Sequence, residues 1–364
     1  MSDIHQRKLD HIALCHTADV HGTDHHGLWE EVALVHDALP ELATHALDLR
    51  TPLLDHTLRA PLMVTGMTGG PAEAGRINRG VAQACGALGL AFGVGSQRVI
   101  TRDGASAATF RVRDVAPDLV LFGNLGINQV RDLGLDVVRD LVARIEANYL
   151  AVHLNPAQEL AQPGDEADHD FRHGYETLAR LVDALDGRVL VKECGTGLSP
   201  RVVARLHAAG VRAVDLSGSG GTSWVKVESL RATGAQQRLG QLFAGWGIPT
   251  AAAVLGAQAL TPRPQLVASG GIGDGLAAAK AIALGADVAG MARPVLQAFL
   301  DAGPEGGSEA AQAFLEEVIA GLRMAMVLTG CHRPVELRQV PRVIGPRLQS
   351  WEHTWQQTRE ESHP

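Results

Sequence analysis

Apolar and polar positions fall into a rhythm from about residue 60. Short apolar runs at Leu62–Thr65, Leu90–Val94, Leu119–Phe122, Tyr149–Leu154, Val189–Lys192, Ala213–Leu216, Gln265–Ala268 and Asp287–Met291 alternate with helix-like stretches. Those stretches include Ala72–Leu88, Gln129–Asn148, Tyr175–Leu185, Pro200–Ala209, Thr250–Ala259 and Gly275–Leu284. Continuous apolar strands alternating with helices predict a parallel sheet covered by helices. Eight such units in about 235 residues match a (β/α)8 TIM barrel of the α/β class in number and length. A doubly wound open sheet is the alternative, but it more often carries GxGxxG at its first turn, and Gly66-Met67-Thr68-Gly69-Gly70 is a different pattern.

The flanks break the rhythm. Residues 1–58 read as a polar, irregular N-terminal arm with an amphipathic piece near Trp29–His36. Residues 59–330 read as the barrel. Residues 331–364 read as a tail whose Trp351 and Trp355 pack on the barrel or on a neighbouring subunit. A long insert at 220–247 follows strand six, where a barrel carries loops over its active face, and predicts a lid. Residues 309–328 predict a terminal helix.

Composition narrows the class. Hydrophobic residues make up 46% and aromatics 4%, with 41 glycines, as suits short strands and helices joined by glycine-containing turns. A net charge of −8 argues against general nucleic-acid binding while leaving room for a local basic pocket. No stretch has the roughly 18 apolar residues of a membrane span, and the N-terminus lacks a secretory apolar segment. Four scattered cysteines (15, 85, 194 and 331) read as free thiols of a cytoplasmic protein. His25-His26 is a weak metal candidate that reads more readily as a solvated loop.

In a barrel the chemistry sits at the C-terminal ends of the strands. Every run here is followed by small or hydrogen-bonding residues. They are GMTGG at 66–70, GSQR at 95–98, GNLG at 123–126, HLNPAQE at 153–159, KECG at 192–195, SGSGGT at 217–222, SGGIGDG at 269–275 and GMAR at 290–293. The glycine turn after strand seven, the helix start near Asp274 or Gly275, and Ala289-Gly290 predict a backbone phosphate site. Lys192 ends a buried strand and needs a polar partner. It could form a Schiff base, pair with Glu193 or Asp215, or face the electron-rich edge of a flavin. Hydroxyl and amide groups at Thr68, Ser96, Asn124 and Thr222 would suit the rim of such a planar ring. Arg7, Lys8, Arg98 and His153 supply more positive charge than one backbone-bound phosphate requires. Glu159 among them suits a divalent cation bridging to a diphosphate. The plainer reading of 153–159 is a strand end followed by a proline turn with incidental polar residues.

Taken together, the chain resembles the FMN-dependent type 2 isopentenyl-diphosphate Δ-isomerases. The matching motifs are Arg7-Lys8-x-Asp10-His11, MTGG at 67–70, GSQR at 95–98, NLG at 124–126, HLNPxQE at 153–159, VKE at 191–193, SGxGGTSW at 217–224 and ASGG at 268–271. The resemblance implies FMN, Mg2+, NADPH or NADH as reductant, and a homotetramer or homo-octamer. It implies that FMN is held by Gly66, Met67, Thr68, Ser96, Asn124, Lys192, Ser217, Thr222, Gly270, Gly271, Gly273, Ala289 and Gly290. It implies that a diphosphate substrate meets Arg7, Lys8, Ser96, Arg98, His153 and Asn155, with Gln158 at the alkene and Glu159 on the metal. Gln158 cannot titrate, so the acid–base work of an allylic double-bond shift is expected of the reduced flavin, with Gln158 positioning or relaying a proton. The rival is an FMN-dependent 2-hydroxy-acid oxidase or dehydrogenase. That chemistry needs a histidine base and arginines late in the barrel, and no histidine lies in residues 208–331.

Overall fold

The computed structural model describes residues 3–23, 26–163 and 167–361, so His25 lies outside the described residues. Eight parallel strands close into a barrel: β1 Leu62–Val64, β2 Ala91–Gly93, β3 Val120–Gly126, β4 Tyr149–Leu154, β5 Val189–Glu193, β6 Ala213–Asp215, β7 Gln265–Ser269 and β8 Val288–Met291. Each pairs with its successor, and β8 closes on β1 through Ala289↔Leu62 and Gly290↔Met63. The expected barrel therefore forms, and the helices at Ala72–Leu88 and Gly275–Leu284 have the expected bounds. The stretch Gln129–Asn148 departs from expectation. It divides into Ile127–Leu133 and Leu135–Arg144, because Gly134 adopts φ 79° and ψ 159° between them.

Strand side chains alternate between the barrel interior and the helix layer. The lower interior positions are apolar: Met63, Ala91, Phe122, Ala151, Leu190, Ala213, Val267 and Val288 belong to one cluster, with Val120 and Tyr149 below them. Burying each large member contributes about 1.5–3 kcal/mol. Two residues further along each strand, on the same face, stand Thr65, Gly93, Asn124, His153, Lys192, Asp215, Ser269 and Gly290. The interior thus turns from apolar to polar or glycine in one step on all eight strands. Register puts His153 opposite Lys192, and Lys192 opposite Asp215, on one rung. Asn124 and Lys192 lie within their strands rather than in the loops that follow.

A hairpin, Thr51–Leu53 paired with His56–Leu58, closes the other end of the barrel. It inserts Leu53 and Leu58 into the interior cluster. The Tyr149 hydroxyl accepts from the Asp55 N–H at 3.1 Å and lies 2.9 Å from His56 Nδ1.

The arm is not irregular. Asp3–Thr17 forms a helix, and Val32–Leu34 pairs antiparallel with Arg342–Ile344. Helical periodicity was hard to see because the helix turns polar residues as well as Ile12 and Cys15 toward the protein interior. The insert at 220–247 holds two helices, Trp224–Arg231 and Gly234–Phe243, packed against each other and against the segment Pro156–Ala161. The terminal helix starts earlier than expected, at Gly303, and runs to Val327. A last helix, Pro346–Glu361, follows, and Trp355 Nε1 donates to the Ala252 carbonyl at 2.9 Å. Among the described residues no helix is long and apolar enough to cross a membrane.

Candidate active site

Two adjoining cavities open at the C-terminal ends of the strands. Lys8, His11, Gly66, Met67, Lys192, Cys194 and Trp224 line both. The larger also takes Thr68, Ser217, Thr222, Gly270, Gly271 and Gly273. The smaller takes Arg7, Ser96, Arg98, Asn124, His153, Asn155, Gln158 and Glu159. Sequence-selected residues are therefore brought together in two groups. Asn124, expected at the flavin, lines the smaller cavity, and Ser96, expected at both ligands, lines the smaller one. Ala289 and Gly290 are buried within β8, and Met291, Ala292 and Arg293 form the wall there.

In the larger cavity, Thr68 Oγ1 is buried with no hydrogen-bond partner among the described residues, aimed where a bound molecule would complete it. A side chain at Gly66 would strike the Val94 carbonyl oxygen at 2.3 Å and Asn124 Nδ2 at 2.6 Å, so close approach requires glycine. Gly270 has φ 108°, and a Cβ there would lie 2.2 Å from the Gly218 oxygen. Ser217 holds φ 40° without being glycine, a strained conformation that concentrates at functional sites. The helix start at Asp274 carries its own cap. Asp274 caps it by accepting from the Ala277 N–H at 2.8 Å, which puts a carboxylate there. The helix Arg293–Asp301 starts at the cavity wall with no side-chain cap.

Lys192 reaches the backbone carbonyl of Glu193 and lies 3.8 Å from Cys194 Sγ. The Glu193 carboxylate turns away to accept from Cys194, Thr196 and Gly197. Asp215 accepts from Ser269 Oγ at 2.6 Å and the Ser217 N–H at 3.2 Å. Burial opposes the ammonium charge, but Cys194, Asp215 and Glu193 around it hold Lys192 above its ordinary pKa. Burial raises both the Glu193 and Asp215 carboxyls.

The smaller cavity is built from the end of β4. Pro156 opens a short helix, Pro156–Ala161, rather than fixing a free turn. Asn155 Nδ2 donates to Gln158 Oε1 at 3.2 Å and to Glu159 Oε1 at 3.0 Å, while Glu159 Oε2 accepts from the Asp168 N–H at 3.0 Å. Asn124 Nδ2 donates to the Val94 carbonyl, so its Oδ1 faces His153 Nδ1 at 2.8 Å as an acceptor. His153 therefore carries its proton on Nδ1. Burial and the charges of Lys192, Lys8 and Arg98 push its pKa down to about 3.

One residue in contact with the candidate site had no sequence signal. Glu228, on the insert helix and 0% exposed, accepts from Gln158 Nε2 at 3.0 Å and Arg231 Nη1 at 2.7 Å. His11 Nε2 lies 3.0 Å from the same carboxylate. Burial lowers the His11 pKa, with Glu228 opposing the shift. His11 also meets Trp224 edge-on at 5.0 Å between ring centroids. A Glu in a charged insert reads as a solvated side chain, and only the fold brings it to Gln158.

Lys8 gives the basic pocket a pH signature. Burial and the neighbouring Arg7 push it down to about 8, with Glu228 opposing and Arg98 adding to the shift. An arriving diphosphate favours the charged amine and raises that value. Binding should therefore take up protons, about half a proton from Lys8 at pH 8, and affinity should fall as pH rises above 8. Calorimetry of inorganic diphosphate binding in two buffers of different ionisation enthalpy measures this. Equal proton exchange in the wild type and in Lys8→Met refutes it.

Comparison with known proteins adds the following. Residues 141–341 match the family model for FMN-dependent dehydrogenases. An isopentenyl-diphosphate delta-isomerase of Metallosphaera sedula is 44% identical, with 95% of this chain and 94% of that protein covered. One of Stutzerimonas stutzeri is 46% identical, with 84% and 87% covered. A flavocytochrome b2 variant superposes with a TM-score of 0.66 at 17% identity, covering 91% of this chain and 81% of that one. A mandelate oxidase variant with a monooxide FMN adduct gives a TM-score of 0.61 at 17% identity, covering 87% and 90%. At such identities the two structures speak for the fold alone.

Proposed function

The chain belongs to the isopentenyl-diphosphate delta-isomerase family, and from that premise we propose that it interconverts isopentenyl and dimethylallyl diphosphate with FMN in isoprenoid biosynthesis. The observation that carries this reading is the pair of adjoining cavities. One offers an orphaned Thr68 hydroxyl, Lys192 and glycine turns, the other four basic groups around one carboxylate.

The residues fit FMN in the larger cavity. Lys192, Thr68 and Thr222 would meet the ring system, and the turns at Ser217–Gly218 and Gly270–Gly273 the phosphate. Bound and reduced, FMN supplies an electron-rich, proton-carrying face for the double-bond shift. The protein's own part is binding and aim. Arg7, Lys8 and Arg98 hold the diphosphate, and Glu159 with diphosphate oxygens suits Mg2+, which typically takes one or two carboxylates plus substrate phosphates. Asn155 and Glu228 fix Gln158 from both ends of its amide, so it presents one orientation to the alkene. The arm helix and Trp224 cover the site from water. NADPH or NADH as reductant, a homotetramer or homo-octamer, a cytoplasmic location and a lid role for residues 220–247 belong to the same reading.

Oxidation of 2-hydroxy acids finds less support. Arg293 is the arginine at the end of β8, and its guanidinium is engaged by the Cys15 and Ala18 carbonyls. The deciding experiment is anaerobic incubation of reduced, Mg2+-loaded protein with isopentenyl diphosphate in D2O, followed by NMR. Dimethylallyl diphosphate carrying deuterium is expected. Unchanged substrate with a flavin that bleaches on adding a 2-hydroxy acid would overturn the reading.

A further inference from the structure

We propose that Arg293 is a positioning residue that ties the arm helix to the loop after β8 and thereby sets the geometry of the diphosphate site. The inference rests on the smaller cavity being that site. Arg293 is the first residue of a helix that begins at the wall of the larger cavity. Its Nε donates to the Cys15 carbonyl at 2.9 Å and its Nη2 to the Ala18 carbonyl at 3.0 Å. Its Nη1 lies 3.3 and 3.4 Å from the two ring nitrogens of His21. Three of its nitrogens thus face the arm.

The carbonyls at the end of a helix lack intrahelical donors, and a cation there also complements the helix dipole. Arg293 therefore caps the arm helix Asp3–Thr17 from a point 278 residues away. Lys8, His11 and Cys15 are spaced by three and four residues, so they share one face of that helix. A helix is stiff over this length, with Cys15 about 10 Å along the axis from Lys8, so the anchored end dictates where Lys8 and Arg7 sit. The arm just beyond the helix is held from the other side. Lys226 Nζ donates to the His21 carbonyl at 2.8 Å and to Asp19 Oδ2 at 2.9 Å, and the Ser223 N–H to the Val20 carbonyl at 2.8 Å. Displacing reacting or binding groups by about 1 Å costs on the order of 100-fold, so a small slip of the arm is felt at the diphosphate.

The test compares Arg293→Ala, Arg293→Lys, Lys8→Met and the double variant Arg293→Ala with Lys8→Met, all as FMN-loaded protein. Arg293→Ala should raise KM for isopentenyl diphosphate at least about tenfold, while the Kd for FMN changes less than about twofold. Arg293→Lys should recover part of the KM. The double variant should fall short of the product of the single effects, because both changes act on one helix. Weaker FMN binding with an unchanged KM would make Arg293 a cofactor ligand and overturn the proposal, as would multiplicative effects in the double variant. If the alanine variant does not fold, Arg293→Lys decides, and a wild-type KM there overturns it. A rise in KM for Lys8→Met with none for Arg293→Ala overturns this inference alone. An unchanged KM for Lys8→Met overturns the diphosphate reading and this inference with it.

Discussion

Glu228→Gln should lower kcat by about 100-fold while FMN remains bound. The carboxylate is fully buried and accepts from Gln158 and Arg231, with His11 beside it. Burial alone would raise its pKa, but His11, Gln158 and Arg231 bring it down to about 2. Because that value is below the ordinary 4.5, its contribution to stability is complete above pH 4.5 and is lost as pH falls toward 2. The amide keeps the shape but presents an NH2 group where an acceptor is needed. Gln158 then loses the partner that fixes its amide, and Arg231 loses a buried counter-charge. Breaking such a pair costs about 3–5 kcal/mol of stability. Steady-state kinetics, the flavin spectrum and a thermal melt separate these effects. A wild-type kcat in a destabilised protein would leave Glu228 a structural residue only.

Glu159→Gln should weaken Mg2+-dependent diphosphate binding by at least about 100-fold and leave FMN in place. The argument turns on how little else the site offers a cation. Among the described residues no group of three His, Cys, Asp or Glu side chains is gathered to hold a metal. The carboxylate of Glu159 is only 7% exposed and already aligned by Asn155 and the Asp168 N–H. A hard cation would then depend on one protein charge and on the diphosphate itself. Calorimetry with inorganic diphosphate, with and without Mg2+, reads the effect. Loss of FMN in this variant, or diphosphate binding that stays Mg2+-dependent at full strength, would put this stretch on a different ligand.

The barrel was legible because an apolar strand flanked by helices has few other ways to bury both faces. The site was legible because each strand changes character at its C-terminal end. Counting two residues on from each interior apolar position finds Thr65, Asp215 and Ser269 as well as Asn124, His153 and Lys192, a rule that needs the register as well as the motif. The arm helix was missed for a physical reason. Periodicity detects an apolar buried face, and this helix buries His11 and half-buries Lys8 beside Ile12 and Cys15. Glu228 was missed because its meaning comes from Gln158, seventy residues earlier in the chain. The glycine turn of SGGIGDG lines the larger cavity as expected, but its helix start is capped by Asp274 itself, a contact that a motif alone does not show.

The hairpin beneath the barrel has a bearing on traffic. With Leu53 and Leu58 fully buried against the lower interior, nothing passes through the barrel's axis. On the proposed reading, substrate arrives and product leaves at the C-terminal ends of the strands, where arm and insert residues line both cavities and form the doorway. The two isomers carry the same diphosphate, so the same grip that admits one delays the other. Turnover in both directions should then share a common ceiling, set by how fast that doorway releases a diphosphate.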